Sequence, residues 1–171
     1  PEKDKATEAE LLADPKERAE HVMLIDLARN DIGRIARVGS VKVPELFAVE
    51  PFATVHQMSS TITGQLLEGA DLPGLMAALF PCGSVTGAPK IRAMEIIAEI
   101  EQAPRGVYCG AIGYIGFNGR TDFNIAIRTA QFADGVARVQ GGGGITARSN
   151  PAAEYEESLT KIKRIMEAFK P

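Results

Sequence analysis

YCGAIGYIGFNGRTDFNIAIRTAQFADGVARVQ, residues 108–140, decides the fold class. Three runs rich in β-branched and aromatic residues, 108–117, 121–132 and 136–140, are separated by Asn118-Gly119 and Asp134-Gly135. Such dipeptides are the strongest short hairpin signals, because Asn, Asp and Gly reach the positive φ that tight turns need. The segment therefore reads as an antiparallel meander. Within it the odd positions Cys109, Ile115, Phe117, Phe123, Ile125 and Ile127 are mainly apolar, whereas the even positions include Tyr114, Asn124 and Arg128. Strand alternation makes the odd face the core and puts Tyr114 and Arg128 together on the other face. A three-residue loop, 117–119, keeps that register, and a two-residue turn would split the pair.

Downstream, the run Gly141 to Gly144 leads to Asn150-Pro151, a cap followed by a first-turn proline. The segment from Ala152 to Phe169 then carries Leu159, Ile162, Ile165 and Met166 at helical spacing. Upstream, GSVTGAPK (83–90) is a glycine and hydroxyl turn feeding a helix over IRAMEIIAEIE, with a short helix before it at about 71–80. VKVPELFAVE (41–50) and TVHQMSSTITGQL (54–66) read as two further strands. Asp14-Pro15-Lys16-Glu17 opens another helix, with Asp14 as N-cap and Glu17 as capping-box glutamate, running toward Asn30 through Val22, Met23, Leu24, Ile25 and Leu27. Residues 1–13 are expected to be a disordered N-terminal stub, and 14–171 one domain. The fold class is α+β, an antiparallel sheet with packed helices.

Composition bounds the function. With 171 residues the chain has the length of one domain, 45% apolar and 24% charged residues match a globular protein, and no run reaches the roughly 18 apolar residues of a membrane span. A net charge of -3 provides no basic field for nucleic acid or an anionic membrane. Two cysteines, Cys82 and Cys109, fit neither a zinc spacing nor a disulfide framework, which points to a reducing cytoplasm. The first residues lack the apolar core of a secretory signal, and a start at Pro1 is read as a trimmed chain.

Four groups could carry chemistry. Glu17 and Glu20 share one helix face, and Glu154, Glu157 and Lys161 share another. Carboxylates from two helices suit Mg²⁺, which takes few protein ligands, yet on spacing alone a solvated acidic face explains them better. Gly141, Gly142 and Gly143 could present backbone N–H groups to an anion through positive φ, or form an ordinary flexible turn. Ser84 and Thr86 offer hydroxyls at a helix start beside Lys90, and an ordinary capped helix would look the same. Arg128 could grip a carboxylate with Tyr114 as a further donor, or both could stand on a solvated face. His21 and His56 have no triad context.

Taken together, AEHVMLIDLARNDIGR, FPCGSVTGAPKIRAMEII, YCGAIGYIGF, FNIAIRT, GGGGI and EYEESLTKIKRI, in this order, resemble the C-terminal part of the chorismate-utilising enzymes. Six motifs in register cover essentially the whole chain, and the phrases FPCGSVTGAPK, VEPFATVHQMSSTITGQL and DFNIAIRT look most like aminodeoxychorismate synthase component I, close to anthranilate synthase component I. The resemblance implies the C-terminal portion of a four-layer chorismate-binding fold. It implies a Mg²⁺ ion held by glutamates at Glu20 and Glu157, with Glu17, Glu154 and Lys161 among the catalytic groups. It implies that Tyr114, Arg128, Gly141, Gly142, Gly143, Ser84, Thr86 and Lys161 hold the substrate dianion.

The implied reaction replaces the C4 hydroxyl of chorismate by ammonia, giving 4-amino-4-deoxychorismate for p-aminobenzoate and folate synthesis. Ammonia would come from a glutamine amidotransferase subunit. The alternatives are anthranilate synthesis and a non-catalytic chorismate-binding module. One position departs from the pattern: the family histidine three residues before Ser60 is Gln57 here, with His56 one residue early. The family's PIKGT or PIAGT segment lies just upstream of Pro1, so the chain reads as a fragment, inactive alone and prone to self-association through uncovered sheet.

Overall fold

The computed structural model describes residues 2–52, 56–147 and 149–169, without the side chains of 2–7 and of Lys16. Two compact units divide the chain, Pro1–Ser84 and Val85–Pro171, where the sequence reading has a single domain.

The first unit begins with α1 (Glu2–Ala13) and α2 (Pro15–Gly33). The stretch read as a disordered stub is thus helical; its composition of Ala, Glu, Lys and Leu is that of a strong helix former, a local preference that the apolar-pattern argument overlooked. Asp14 separates the two helices as anticipated, its Oδ1 accepting from the Glu17 N–H at 3.1 Å. Strands β1 (Lys42–Pro51) and β2 (His56–Thr63) form an antiparallel pair; Thr54 and Val55, read as the start of β2, lie outside the described residues. The ladder is interrupted between Glu45 and Ala48, where Phe47 has φ 56°. Helix α2 packs on this irregularity. The His21 Nε2 lies 2.8 Å from Ser60 Oγ, which also accepts from the Phe47 N–H at 3.0 Å, and the Arg18 guanidinium covers the Phe47 ring at 4.5 Å. Ile25, one turn further along α2, is buried, whereas Val22, Met23 and Leu24 are exposed. α3 (Leu72–Leu79) follows, capped by Asp71 Oδ1 on the Gly74 N–H at 2.9 Å.

A short helical turn, α4 (Gly83–Thr86), straddles the division. The glycine and hydroxyl turn expected before the next helix holds Ser84 and Thr86 in α4; Gly87, Ala88 and Pro89 separate it from α5 (Lys90–Ile100), which has Pro89 at its N-cap with no side-chain cap. The hydroxyls therefore belong to a turn of their own.

The second unit contains two separate hairpins, β3–β4 (Ala111–Ile115 with Thr121–Ile125) and β5–β6 (Ala130–Ala133 with Val136–Val139). Among the described residues β4 and β5 are not paired, so the expected single meander is two hairpins. The break lies at 126–129: the Ile127 N–H bonds the Ile125 carbonyl at 2.8 Å, Thr129 Oγ1 donates to the Ile127 carbonyl at 2.9 Å, and Arg128 has φ 49°. This tight local turn interrupts the alternation that the sequence pattern extended through Arg128.

The two turn dipeptides behave differently. Asp134 and Gly135, at φ 52° and 73°, make a two-residue connection between Ala133 and Val136, as a type I′ turn requires. At Asn118-Gly119 the loop has three residues: Gly116 pairs with Arg120 (2.8 Å), the Gly119 N–H returns to the Gly116 carbonyl (3.0 Å), and Gly119 has φ 80°. That is the odd-length, bulged register expected, and it sets Tyr114 opposite Asp122. The odd face is not the core, however. Only Cys109 is buried, Phe123 and Ile125 are half-buried, and Ile115, Phe117 and Ile127 are exposed, because no described layer covers the β3–β4 hairpin.

The chain closes with α6 (Pro151–Glu167). Asn150 Oδ1 accepts from the N–H groups of Ala152 (3.0 Å) and Ala153 (3.2 Å), the cap-then-proline device read from the sequence.

Candidate functional site

The second unit brings together one acidic helix face and the glycine run. On α6, Glu154, Glu157 and Lys161 occupy one face, and Lys161 Nζ lies 2.6 Å from Glu157 Oε1 and 3.4 Å from the Gly142 carbonyl. At Gly141 the run passes so close to this face that a side chain would not fit without a shift of the neighbours. A Cβ on Gly141 would lie 2.6 Å from Ile162 Cγ2 and 2.9 Å from the Ser158 carbonyl. One on Gly143 would lie 3.0 Å from Glu154 Oε2, 3.9 Å from Lys161 Nζ and 4.0 Å from Glu157 Oε1. The glycines do not show the positive φ expected of an anion nest; what they contribute is a backbone bare enough to lie against three charged side chains.

A tyrosine completes this cluster, and it is not the one the sequence pattern favoured. Tyr114 stands 54% exposed on β3, opposite Asp122 of β4. The Tyr108 hydroxyl is the group at the glycine run, 2.9 Å from where a Cβ on Gly142 would be. Tyr108 shares the even parity of Tyr114 but lies in a turn before β3, its N–H on the Arg105 carbonyl at 3.2 Å, so strand alternation gives no information about it. Burial pushes its phenol above the ordinary range, with the Cys109 side chain adding to the rise and Arg105 opposing it. Burial likewise pushes up the thiol of Cys109, a residue only 5% exposed.

Arg128 is exposed and held outside a strand, so it does not share a strand face with Tyr114. Thr86 is half-buried and Ser84 exposed. In the first unit Glu17 is exposed, its N–H capped by Asp14, and Glu20 is half-buried on α2 beside the His21–Ser60 contact. Desolvation lowers the His21 imidazole below its ordinary range. Among the described residues no group of three or more His, Cys, Asp or Glu side chains is gathered as a metal cage.

A model of the family described as chorismate binding enzyme matches residues 1–167. The chain belongs to the chorismate-binding enzymes. It is 53% identical over 170 residues to anthranilate synthase component 1 of Streptomyces coelicolor, covering 99% of this chain and 33% of that protein. It is 51% identical over 166 residues to aminodeoxychorismate synthase component 1 of Escherichia coli, covering 97% of this chain and 37% of that protein. Among solved structures it resembles anthranilate synthase component I of Streptococcus pneumoniae, with a TM-score of 0.88 at 48% identity, covering 95% of this chain and 37% of the other. The chain thus spans about a third of the length of these chorismate-binding relatives, and its mixture of helices and small antiparallel sheets is the α+β class expected.

Proposed function

We propose that this chain supplies the carboxylate and glycine wall of a chorismate-aminating active site, and that the protein it belongs to forms 4-amino-4-deoxychorismate. The observation that carries the reading is the packing of Gly141–Gly143 on Glu154, Glu157 and Lys161 in a chain of this family. Chorismate carries two carboxylates. Lys161 and the bare glycine backbone offer a cation and N–H donors to one of them, and Arg128 offers a bidentate fork. In the reaction ammonia forms a C–N bond to the ring, the hydroxyl leaves, and it takes a proton to depart as water. Glu154, half-buried beside Gly143, is the group in reach to hold or release such a proton.

The donor set also fits magnesium in kind. Glu154 and Glu157 are hard oxygen donors converging on one glycine, as a weakly dehydrated Mg²⁺ prefers. Of the glutamates that the resemblance assigns to the ion, Glu157 stands on this face, and the ion when bound would supply a Lewis acid and template for the substrate carboxylate. Lys161 meanwhile neutralises Glu157, which makes metal and ammonium competitors for that carboxylate. We assign ammonia supply to a separate glutamine amidotransferase subunit, as the resemblance implies; Cys109, buried and with a raised thiol, is unsuited to nucleophilic attack. The product would feed p-aminobenzoate and folate synthesis in the cytoplasm.

Anthranilate synthesis is the second reading, favoured by the 53% identity to the Streptomyces coelicolor protein. One assay separates the two. A polypeptide of the relatives' length containing this chain is incubated with chorismate, Mg²⁺ and ammonia, and products are resolved by chromatography. Accumulation of 4-amino-4-deoxychorismate, abolished by Glu157→Ala, supports the proposal; fluorescent anthranilate with released pyruvate overturns it in favour of the second reading, and no loss of chorismate overturns both. The 171-residue chain alone is expected to consume none.

A further inference from the structure

Arg105 makes contacts that the reading above leaves unused. Its Nε lies 2.9 and 3.1 Å from the two Glu101 carboxylate oxygens, and its Nη2 lies 2.6 Å from Oε1. The remaining arm, Nη1, donates to the Val85 carbonyl at 2.8 Å. The guanidinium carbon Cζ lies over the Tyr108 ring, 5.7 Å from its centroid. Three segments therefore meet on one side chain: α4, the C-terminal end of α5, and the turn into β3. Val85 is the residue between Ser84 and Thr86, and Tyr108 is the residue whose hydroxyl lies against Gly142.

The chemistry explains why arginine stands here. A four-residue helical turn leaves its carbonyls without intrahelical partners, and a guanidinium can satisfy one while gripping a carboxylate with its other edge. A lysine ammonium offers three donors from a single point and cannot span both. The Arg105–Glu101 pair is also more than a solvated surface contact: the arginine side chain is 24% exposed, and the ion pair holds the Glu101 carboxyl below its ordinary range.

We propose that Arg105 is a positioning residue that couples the hydroxyl turn carrying Thr86 to the glycine run at Gly142 through Tyr108, so that the two substrate-facing segments of this unit are set together. The coupling rests on the proposed function only for what the two segments hold. The line runs from the Val85 carbonyl through the guanidinium to the Tyr108 ring, whose hydroxyl stands 2.9 Å from where a Cβ on Gly142 would be. Removing the fork releases both ends, whereas an arginine serving as local glue would affect only its own neighbours.

The test uses the ¹⁵N-labelled 171-residue chain and three proteins: wild type, Arg105→Lys and Glu101→Gln. Backbone amide shifts are recorded for Val85, Thr86, Gly87, Gly142 and Gly143. The expected result is that Arg105→Lys displaces the signals of both groups, and that Glu101→Gln, which frees the guanidinium without removing it, displaces the same two groups by less. Shifts confined to residues around 105, or to the 85–87 group with Gly142 and Gly143 unmoved, overturn the proposal. If Arg105→Lys loses the dispersed spectrum of a folded chain, Glu101→Gln decides by the same criterion. Chorismate binding is then measured by calorimetry on the longer polypeptide: no binding counts against the functional reading and leaves the coupling result intact. In the longer polypeptide, Arg105→Lys is expected to weaken chorismate binding ~tenfold, and non-additively with Thr86→Ala, because both act on one turn.

Discussion

Replacing Gly141 by alanine tests the close packing of the glycine run on α6. The added methyl would stand 2.6 Å from Ile162 Cγ2 and 2.9 Å from the Ser158 carbonyl. Carbon atoms prefer separations of about 3.5–4.0 Å, so the first contact is overlapped by roughly 1 Å. Ile162 could turn away, but the Ser158 carbonyl belongs to the backbone of α6 and moves only with the helix. Overpacking of this kind costs about 1–3 kcal/mol. For a chain of this length, about 2 kcal/mol lowers Tm by roughly 4–8 °C. Gly144 supplies the control, since a Cβ there meets nothing within 4 Å and its φ is not positive. Gly144→Ala is expected within about 0.5 kcal/mol of wild type. Thermal and urea unfolding followed by circular dichroism reads both. Equal stability of the two variants would refute the argument that glycine is required at 141 for close approach.

Three further outcomes follow from the same geometry. Asn150→Ala removes the acceptor of two N–H bonds at the start of α6 and should cost about 1 kcal/mol in urea unfolding, with Asn150→Asp restoring most of it. Tyr108→Phe should weaken chorismate binding about fivefold by calorimetry on the longer polypeptide, as expected for one lost hydrogen bond, whereas Tyr114→Phe leaves it unchanged; the reverse order would return the site to the β3 face. For His21, burial lowers the folded-state pKa while the unfolded side chain titrates near about 6.5. Stability is therefore complete above that value and is lost as pH falls below it, until the folded pKa is passed, because the unfolded chain takes the proton first. The urea midpoint should decline across that window in the wild type and decline less in His21→Gln; equal slopes would show that His21 does not contribute.

What the sequence by itself determined was what few neighbouring residues decide. Asp14 before Pro15 and Asn150 before Pro151 open helices, because a cap bonds N–H groups two or three positions on. Asp134-Gly135 closes its hairpin in two residues and Asn118-Gly119 in three, since φ and side-chain bonding within the turn set the register. The acidic face of α6 was equally legible, being a matter of helical spacing. Tertiary structure decided the rest. Alternation carried Arg128 onto the face of Tyr114, but a tight turn after Ile125 cancelled the parity, and no pattern of apolar residues records a bend of that size. The helix at Glu2–Ala13 rests on propensity without an apolar stripe, so a reading based on burial missed it. Tyr108 reached the glycine run, and Arg105 reached the Val85 carbonyl, across 20 or more positions of sequence. Distances of that kind are set by how helices and hairpins pack, and a residue's type alone does not encode them.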